Sequence, residues 1–168
     1  QNNLKQAAKT INFLTEHGIS SYGELESKLT ALSAWRDTAH AEIKRIESRS
    51  AELTLVMKHA GTYRQLKPLY DRYRKSNDKE KFLRGHESEI ILFEAAAREL
   101  KRLGAVPLPT TESMKTELAN LSAEKERLLA EYKTARTEAQ EYETVKQNVD
   151  ALLAVPKEQE QQRRHELE

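Results

Sequence analysis

Two stretches of this chain repeat apolar residues every three or four positions over many helical turns, and that repeat constrains the fold more than any other feature. The first comprises Leu25, Leu29, Leu32, Ala39, Ile43, Ile46, Leu53, Met57 and Ala60. The second comprises Met114, Leu118, Leu121, Leu128, Tyr132, Ala135, Ala139, Tyr142, Val149 and Leu153. A seven-residue period places a narrow apolar seam along one side of a helix, which the helix cannot bury on itself. At about 1.5 Å per residue, residues 21–60 would form a helix roughly 60 Å long that needs a partner. Arg36, Ser50, Lys125 and Lys146 stand as polar interruptions at seam positions. The two stripes can supply each other, because the segment between them can reverse the chain and both seams mix small Ala with large Leu. An antiparallel intramolecular hairpin is therefore preferred to a parallel homodimer, with the two-chain arrangement left as the alternative. The predicted fold class is all-α: a long antiparallel coiled-coil-like helical hairpin with shorter helices at the N-terminus and at the turn.

Composition agrees with a slim helical fold. Of 168 residues, 33% are charged, 38% apolar and 6% aromatic, proportions that suit long helices burying a stripe rather than a thick core. The regular spacing argues against disorder. The absence of Cys excludes disulfides, thiolate zinc sites and cysteine nucleophiles, and fits a reducing cytoplasm. No apolar run approaches the ~20 residues of a membrane span, and no signal peptide is legible. A chain opening at Gln1 without Met reads as a fragment of a longer protein, and Leu167 and Glu168 read as a tag scar.

Local signals divide the chain into helices at about residues 3–17, 21–60, 62–75, 78–103 and 111–155, making a single elongated helical domain over 1–155 and a polar tail over 156–168. In the first helix Leu4, Ala7, Ala8, Ile11 and Leu14 predict one apolar face. Gly18 ends it, with Ile19 folding back on Leu14. Ser21 and Glu24 have the spacing of a capping box. Gly61 and Pro68 predict a kink or break, because proline lacks an amide hydrogen and crowds the preceding turn. Ser76-Asn77-Asp78 reads as a turn, with Asn77 capping the next helix and Glu80 three residues on. Gly85 weakens that helix, leaving a stronger portion from His86 to Leu103 with Ile90, Phe93, Ala97 and Leu100 on one face. Gly104 closes it, Pro107-Leu108-Pro109 forms a stiff connector, Thr110 or Thr111 caps the last helix, and Pro156 ends that helix.

Catalytic signatures are missing. No two of His17, His40, His59, His86 and His165 sit three or four residues apart, and there is no H-E-x-x-H, P-loop or G-x-G-x-x-G. A slim hairpin offers little enclosure to shift a carboxylate pKa. The expectation is a non-enzymatic chain with no metal and no cofactor.

Charge is distributed unevenly. The whole chain carries +1, yet residues 58–84 hold nine basic side chains, Lys58, Arg64, Lys67, Arg72, Arg74, Lys75, Lys79, Lys81 and Arg84, against Asp71, Asp78 and Glu80. That segment is +6 and the remainder −5. Tyr63, Tyr70 and Tyr73 are interleaved with the cations and Phe82 follows. Cations on phosphates and rings stacked on unpaired bases suit nucleic acid, so these nine cations and three tyrosines are the candidate DNA-binding residues. The competing reading has the tyrosines packing the helix junction while the cations solvate it. Trp35, beside the seam, is expected in packing rather than base stacking.

The block Leu4-Lys5-Gln6-Ala7-Ala8-Lys9-Thr10-Ile11-Asn12-Phe13-Leu14-Thr15-Glu16-His17-Gly18-Ile19 resembles the stretch just beyond the nuclease domain in relaxase/mobilisation proteins of Gram-positive conjugative and integrative elements. The resemblance continues through Tyr22-Gly23-Glu24-Leu25, returns in Tyr70-Asp71-Arg72-Tyr73-Arg74-Lys75 with Phe82, in Leu103-Gly104 and Leu108-Pro109-Thr110, and in Tyr132-Lys133 and Asn148-Val149-Asp150. It implies a parent protein of conjugation and horizontal gene transfer that nicks DNA at a transfer origin. Such a protein stays attached to the DNA through a tyrosine and passes through a type IV secretion channel. The family's catalytic tyrosine and histidine cluster lie in the nuclease domain and match no position here. What the resemblance leaves for this chain is accessory work in the cytoplasm, through contact with transfer-origin DNA, docking to transfer-machinery proteins such as a coupling protein, or both. A structural or protein-interaction coiled coil without DNA binding is the alternative.

Overall fold

A computed structural model of the chain describes residues 2–165, with side chains described for residues 3–154. The described residues form four helices and no strand: α1 (Asn2–Glu16), α2 (Tyr22–Lys75), α3 (Lys79–Arg102) and α4 (Thr111–His165). The fold class is all-α, as the seams require. Contacts gather into two compact units, Gln1–Glu42 with Leu128–Glu168 and Ile43–Arg127. Each contains a segment of α2, a segment of α4 and one shorter helix.

In the first unit Leu25 of α2 and Tyr142 and Val145 of α4 form the core, against which Phe13, Leu14, Ile19, Leu29, Leu32 and Val149 pack. The α2 and α4 segments run antiparallel: Tyr22 donates to Asp150 at 2.7 Å, and six residues on Lys28 pairs with Glu138 at 3.4 Å. Lys146, a polar interruption of the seam, lies 5.4 Å over the Tyr22 ring and donates to Asp150 at 3.0 Å. Hydrogen bonds from Tyr22 and then Lys146 hold the Asp150 carboxyl below the usual carboxylate range. The Tyr22 hydroxyl and Asp150 in turn raise the Lys146 ammonium.

The orientation of α1 differs from the expected one. Leu4 and Ile11 are 77% and 60% exposed, while Thr10 is buried. Gln6 and Thr10 hydrogen-bond Asn148 of α4 at 2.8 and 3.4 Å, and Phe13 meets the Tyr142 ring edge-on at 5.0 Å. Residues 6, 10, 13 and 17 share one face. Seating the large Phe13 ring on Tyr142 and Val145 and satisfying Asn148 turns that face inward, which carries the aliphatic stripe of Leu4, Ala8 and Ile11 outward.

In the second unit the α2 segment buries Ile43, Ile46, Leu53, Val56 and Ala60, α3 buries Ile90, Phe93, Ala96 and Leu100, and α4 buries Met114 and Leu121. Glu47 pairs with Lys125 at 3.0 Å, and Arg49 meets Glu117 through two bonds of 2.7 and 3.3 Å, so here too α2 and α4 are antiparallel. Lys125, the second polar interruption of the α4 seam, is thus matched by an acid across it. Val56 lies beside the predicted seam, seven residues before Tyr63 and fourteen before Tyr70, on the stripe that faces α3.

The expected break between Gly61 and Pro68 is absent, and residues 62–75 continue α2 without interruption. Pro68 removes only the hydrogen that would bond the Arg64 carbonyl, and both residues are exposed, so water can satisfy that group. Buried Ala60 before it and half-buried Tyr63, Leu66, Leu69 and Tyr70 around it hold the helix by packing. Pro156 likewise does not end α4, which runs to His165. It frees only the carbonyl of Leu152, a residue 45% exposed. The remainder of the expected tail, 166–168, lies outside the described residues.

Helix ends follow local chemistry. Gly18 (φ 65°) and Gly104 (φ 69°) adopt the left-handed conformation that only glycine enters cheaply. Each closes its helix with a bond from the following residue, Ile19 N to Leu14 O at 2.8 Å and Ala105 N to Leu100 O at 2.9 Å. Ser21 Oγ accepts from Glu24 N, while the Glu24 carboxylate reaches Ser20 N rather than Ser21 N. Asp78, not Asn77, caps α3 by accepting from Lys81 N at 3.0 Å. Thr110 caps α4, accepting from Ser113 N at 3.1 Å.

This packing can be tested at two positions. Ile46, 0% exposed, has nowhere to collapse when truncated, so Ile46→Ala costs about 2–5 kcal/mol in denaturant unfolding, whereas exposed Lys44→Ala stays within about 0.5 kcal/mol. Asp150 has a folded-state pKa below its unfolded one, so its contribution is complete above the unfolded value and disappears as pH falls through the folded value. Asp150→Asn therefore lowers the Tm at about pH 7 and converges with the parent in strong acid, near pH 2; an equal Tm at neutral pH contradicts this.

Candidate nucleic-acid interface

The candidate residues lie on the last five turns of α2 and the first two of α3, all within the second unit. Position on the helix sorts them. Residues 63, 66, 70 and 73 fall on one face, and the rings of Tyr63, Tyr70 and Tyr73 meet α3. The Tyr63 and Tyr70 rings stack on Phe93 with centroids 4.8 and 4.2 Å away, Tyr73 lies 5.8 Å from Tyr70 and 6.1 Å from Phe82, and Phe82 lies 4.7 Å from His86. Phe93 is 5% exposed. Tyr63 and Tyr70 are therefore packing residues that fasten α2 to α3, and their stacked faces are occupied.

The cations divide in the same way. Arg64 donates to Thr111 Oγ1 at 2.8 Å and to the Pro109 carbonyl, tying α2 to the connector between α3 and α4. Lys67 donates to both oxygens of Asp71 at 3.0 and 2.9 Å, a hydrogen-bonded pair that raises the ammonium pKa. Lys58 is exposed but stands more than three turns before the end of α2. Arg72, Arg74, Lys75, Lys79, Lys81 and Arg84 are exposed, and none of their side chains meets a carboxylate among the described residues. They gather around the short turn that joins α2 to α3.

Helix electrostatics account for only half of this group. Arg72, Arg74 and Lys75 occupy the last turn of α2, where cations are stabilised by the partial negative charge of the free carbonyls. Lys79 and Lys81 occupy the first turn of α3, where the field has the opposite sign and each cation is disfavoured by roughly some tenths of a kcal/mol, and Arg84 stands in the next turn. Glu80 is the only acid in that first turn. Fold stability does not call for this arrangement; an external anion would.

The turn also contains features that leave little mark on the sequence. After Gly85, His86 leaves the helical region at φ −141°, ψ 24°, and its ring Nδ1 lies 3.1 Å from Glu89. This break falls where Gly85 is expected to weaken the helix. Beside it is a cleft of about 300 Å³ lined by Ser76, Asp78, Lys81, Phe82, Gly85 and His86. The only hint in the sequence is a glycine between two rings. In the first unit an open groove of about 700 Å³ runs between α1 and α4, with Lys5 and Lys9 on one wall and Glu141 on the other. Trp35, expected in packing, keeps 37% of its surface open.

Among the described residues no group of three His, Asp or Glu side chains is placed to hold a metal ion, and no helix is long and apolar enough to cross a membrane. Geometry and charge define an all-α chain with a cationic helix–turn–helix tip. Comparison with protein-family models, curated proteins and solved structures finds no match to this chain.

The sorting of aromatics from cations is testable by stability alone. Phe93→Ala removes the surface on which two tyrosines stack and costs about 3–5 kcal/mol, while Arg74→Ala leaves unfolding within about 0.5 kcal/mol. A small effect at Phe93 would contradict the assignment of Tyr63 and Tyr70 to packing.

Proposed function

We propose that this chain is an accessory, DNA-contacting helical domain of a conjugative relaxase, acting in the cytoplasm and holding transfer-origin DNA while a separate domain carries out nicking. The observation that carries the DNA part is the cluster of six exposed cations at the α2–α3 turn, which outnumber Asp78 and Glu80 there and form no ion pair among the described residues. Phosphates are the ligands such a cluster suits, and release of condensed counterions supplies the affinity. The relaxase part rests on the resemblance carried foremost by the block from Leu4 to Ile19. A nuclease domain with a histidine cluster, encoded ahead of Gln1 in the parent gene, is its expected companion; a parent gene lacking one removes this part.

A second reading, docking to a protein of the transfer machinery or to another copy, is favoured by the outward stripe of Leu4 and Ile11 on α1. Apolar side chains left in water on one face of an amphipathic helix suit a partner surface. Light scattering separates self-association through this stripe from a monomer: Leu4→Lys with Ile11→Lys dissolves a dimer held by it and leaves a monomer unchanged.

Titration of duplex DNA with the 168-residue chain across a salt series tests the DNA reading. Log affinity falls linearly with log salt, by about 0.9 for each phosphate neutralised. Changing Arg72, Arg74 and Lys75 to Gln weakens binding and flattens that slope by about 0.9 for each phosphate no longer held. Absence of binding at about 50 mM salt, or equal binding by the triple variant, removes this role from the tip.

A further inference from the structure

We infer that the cleft at the α2–α3 turn receives one unpaired nucleobase, so that the tip engages single-stranded DNA differently from duplex. This rests on the DNA reading above and adds a ligand to it. Size comes first: about 300 Å³ is the lower bound of small-molecule sites, suited to one planar group rather than a folded peptide. The lining is mixed in a way that fits a base. Phe82 and His86 line the open space and each keeps part of its surface exposed, beside their mutual contact at 4.7 Å and the contact of Phe82 with Tyr73 at 6.1 Å. An aromatic surface of this kind stacks bases without regard to sequence.

Charge separates base from phosphate. Asp78 is among the lining residues, and its carboxylate, which accepts from Lys81 N, would oppose a phosphate seated beside it. Lys81 also lines the cleft, and Lys79 and Arg84, which do not, can hold the phosphates on either side. In a duplex the bases are paired and stacked within the helix, so no base face is free to lie on these rings.

Gly85 provides the test. Gly85 lines the cleft, and a Cβ placed on it would meet no atom within 4 Å, so a side chain can be added at this wall without displacing the packing of α3. The complete chain is titrated with a labelled single strand of mixed sequence, about 20 nucleotides long, and with the same sequence as a duplex, in one buffer. Gly85→Leu, its fold confirmed by an undiminished Tm, lowers single-strand affinity about five-fold or more and leaves duplex affinity unchanged. Phe82→Leu, which keeps apolar volume but removes the ring, repeats that selective effect. Binding of both DNAs by the parent with no selective weakening in either variant overturns the base site and leaves the DNA reading intact. Failure of the parent to bind either DNA overturns both.

Discussion

Neither α2 nor α4 can be stable alone in water as a long helix with one apolar side, so the antiparallel contact between their segments is what the remainder of each unit depends on. In the first unit it is built from Leu25, Tyr142 and Val145, in the second from Ile43, Ile46, Leu53, Met114 and Leu121. Apolar burial supplies most of the stabilisation, while the cross-helix pairs Lys28–Glu138, Glu47–Lys125 and Arg49–Glu117 mainly set register. Those side chains are roughly 40% exposed, and pairs of that kind contribute about 1 kcal/mol or less. Lys125 and Lys146, which look like defects in the α4 seam, are both met across it, Lys125 by the Glu47 carboxylate and Lys146, already paired with Asp150 of its own helix, by the Tyr22 ring.

The third helix of each unit is held by different chemistry, with different consequences. In the second unit α3 is fastened by aromatic stacking and aliphatic burial, which gives the turn beyond it a firm base. Cations can then be displayed on the turn because none of the packing depends on them. In the first unit α1 is seated through Phe13, Leu14 and a hydrogen-bonded Gln6–Asn148–Thr10 group, and this orientation leaves Leu4 and Ile11 in solvent. One shorter helix thus displays charge and the other an apolar stripe.

Much of the candidate tip is legible in the chain alone. The excess of cations over residues 58–84 and the alternation with tyrosines are properties of the sequence itself. Which members are available is not. Arg64 and Lys67 carry the same charge as Arg72 and Lys75, but Pro109, Thr111 and Asp71 occupy them. Tyr63 and Tyr70 resemble stacking platforms in sequence, yet Phe93, far along the chain, lies on them. Val56 could have disclosed this, since it begins a seven-residue stripe with Tyr63 and Tyr70. The cleft at Gly85 had no comparable signal, because it depends on where the His86 backbone departs from the helix.

The sequence by itself determined the helical class, the two seams, the glycine stops at Gly18 and Gly104 and the place of the cationic segment. All of these come from short-range periodicity, φ preference and charge, which act within a few residues. Tertiary structure decided which way α1 turns, the passage of α2 through Pro68 and of α4 through Pro156, and which side chains at the tip remain open to solvent. Those outcomes compare a local cost, such as one missing hydrogen bond at a proline or two exposed aliphatic residues, with packing against residues far along the chain. Spacing within one helix holds no information about the other side of that comparison.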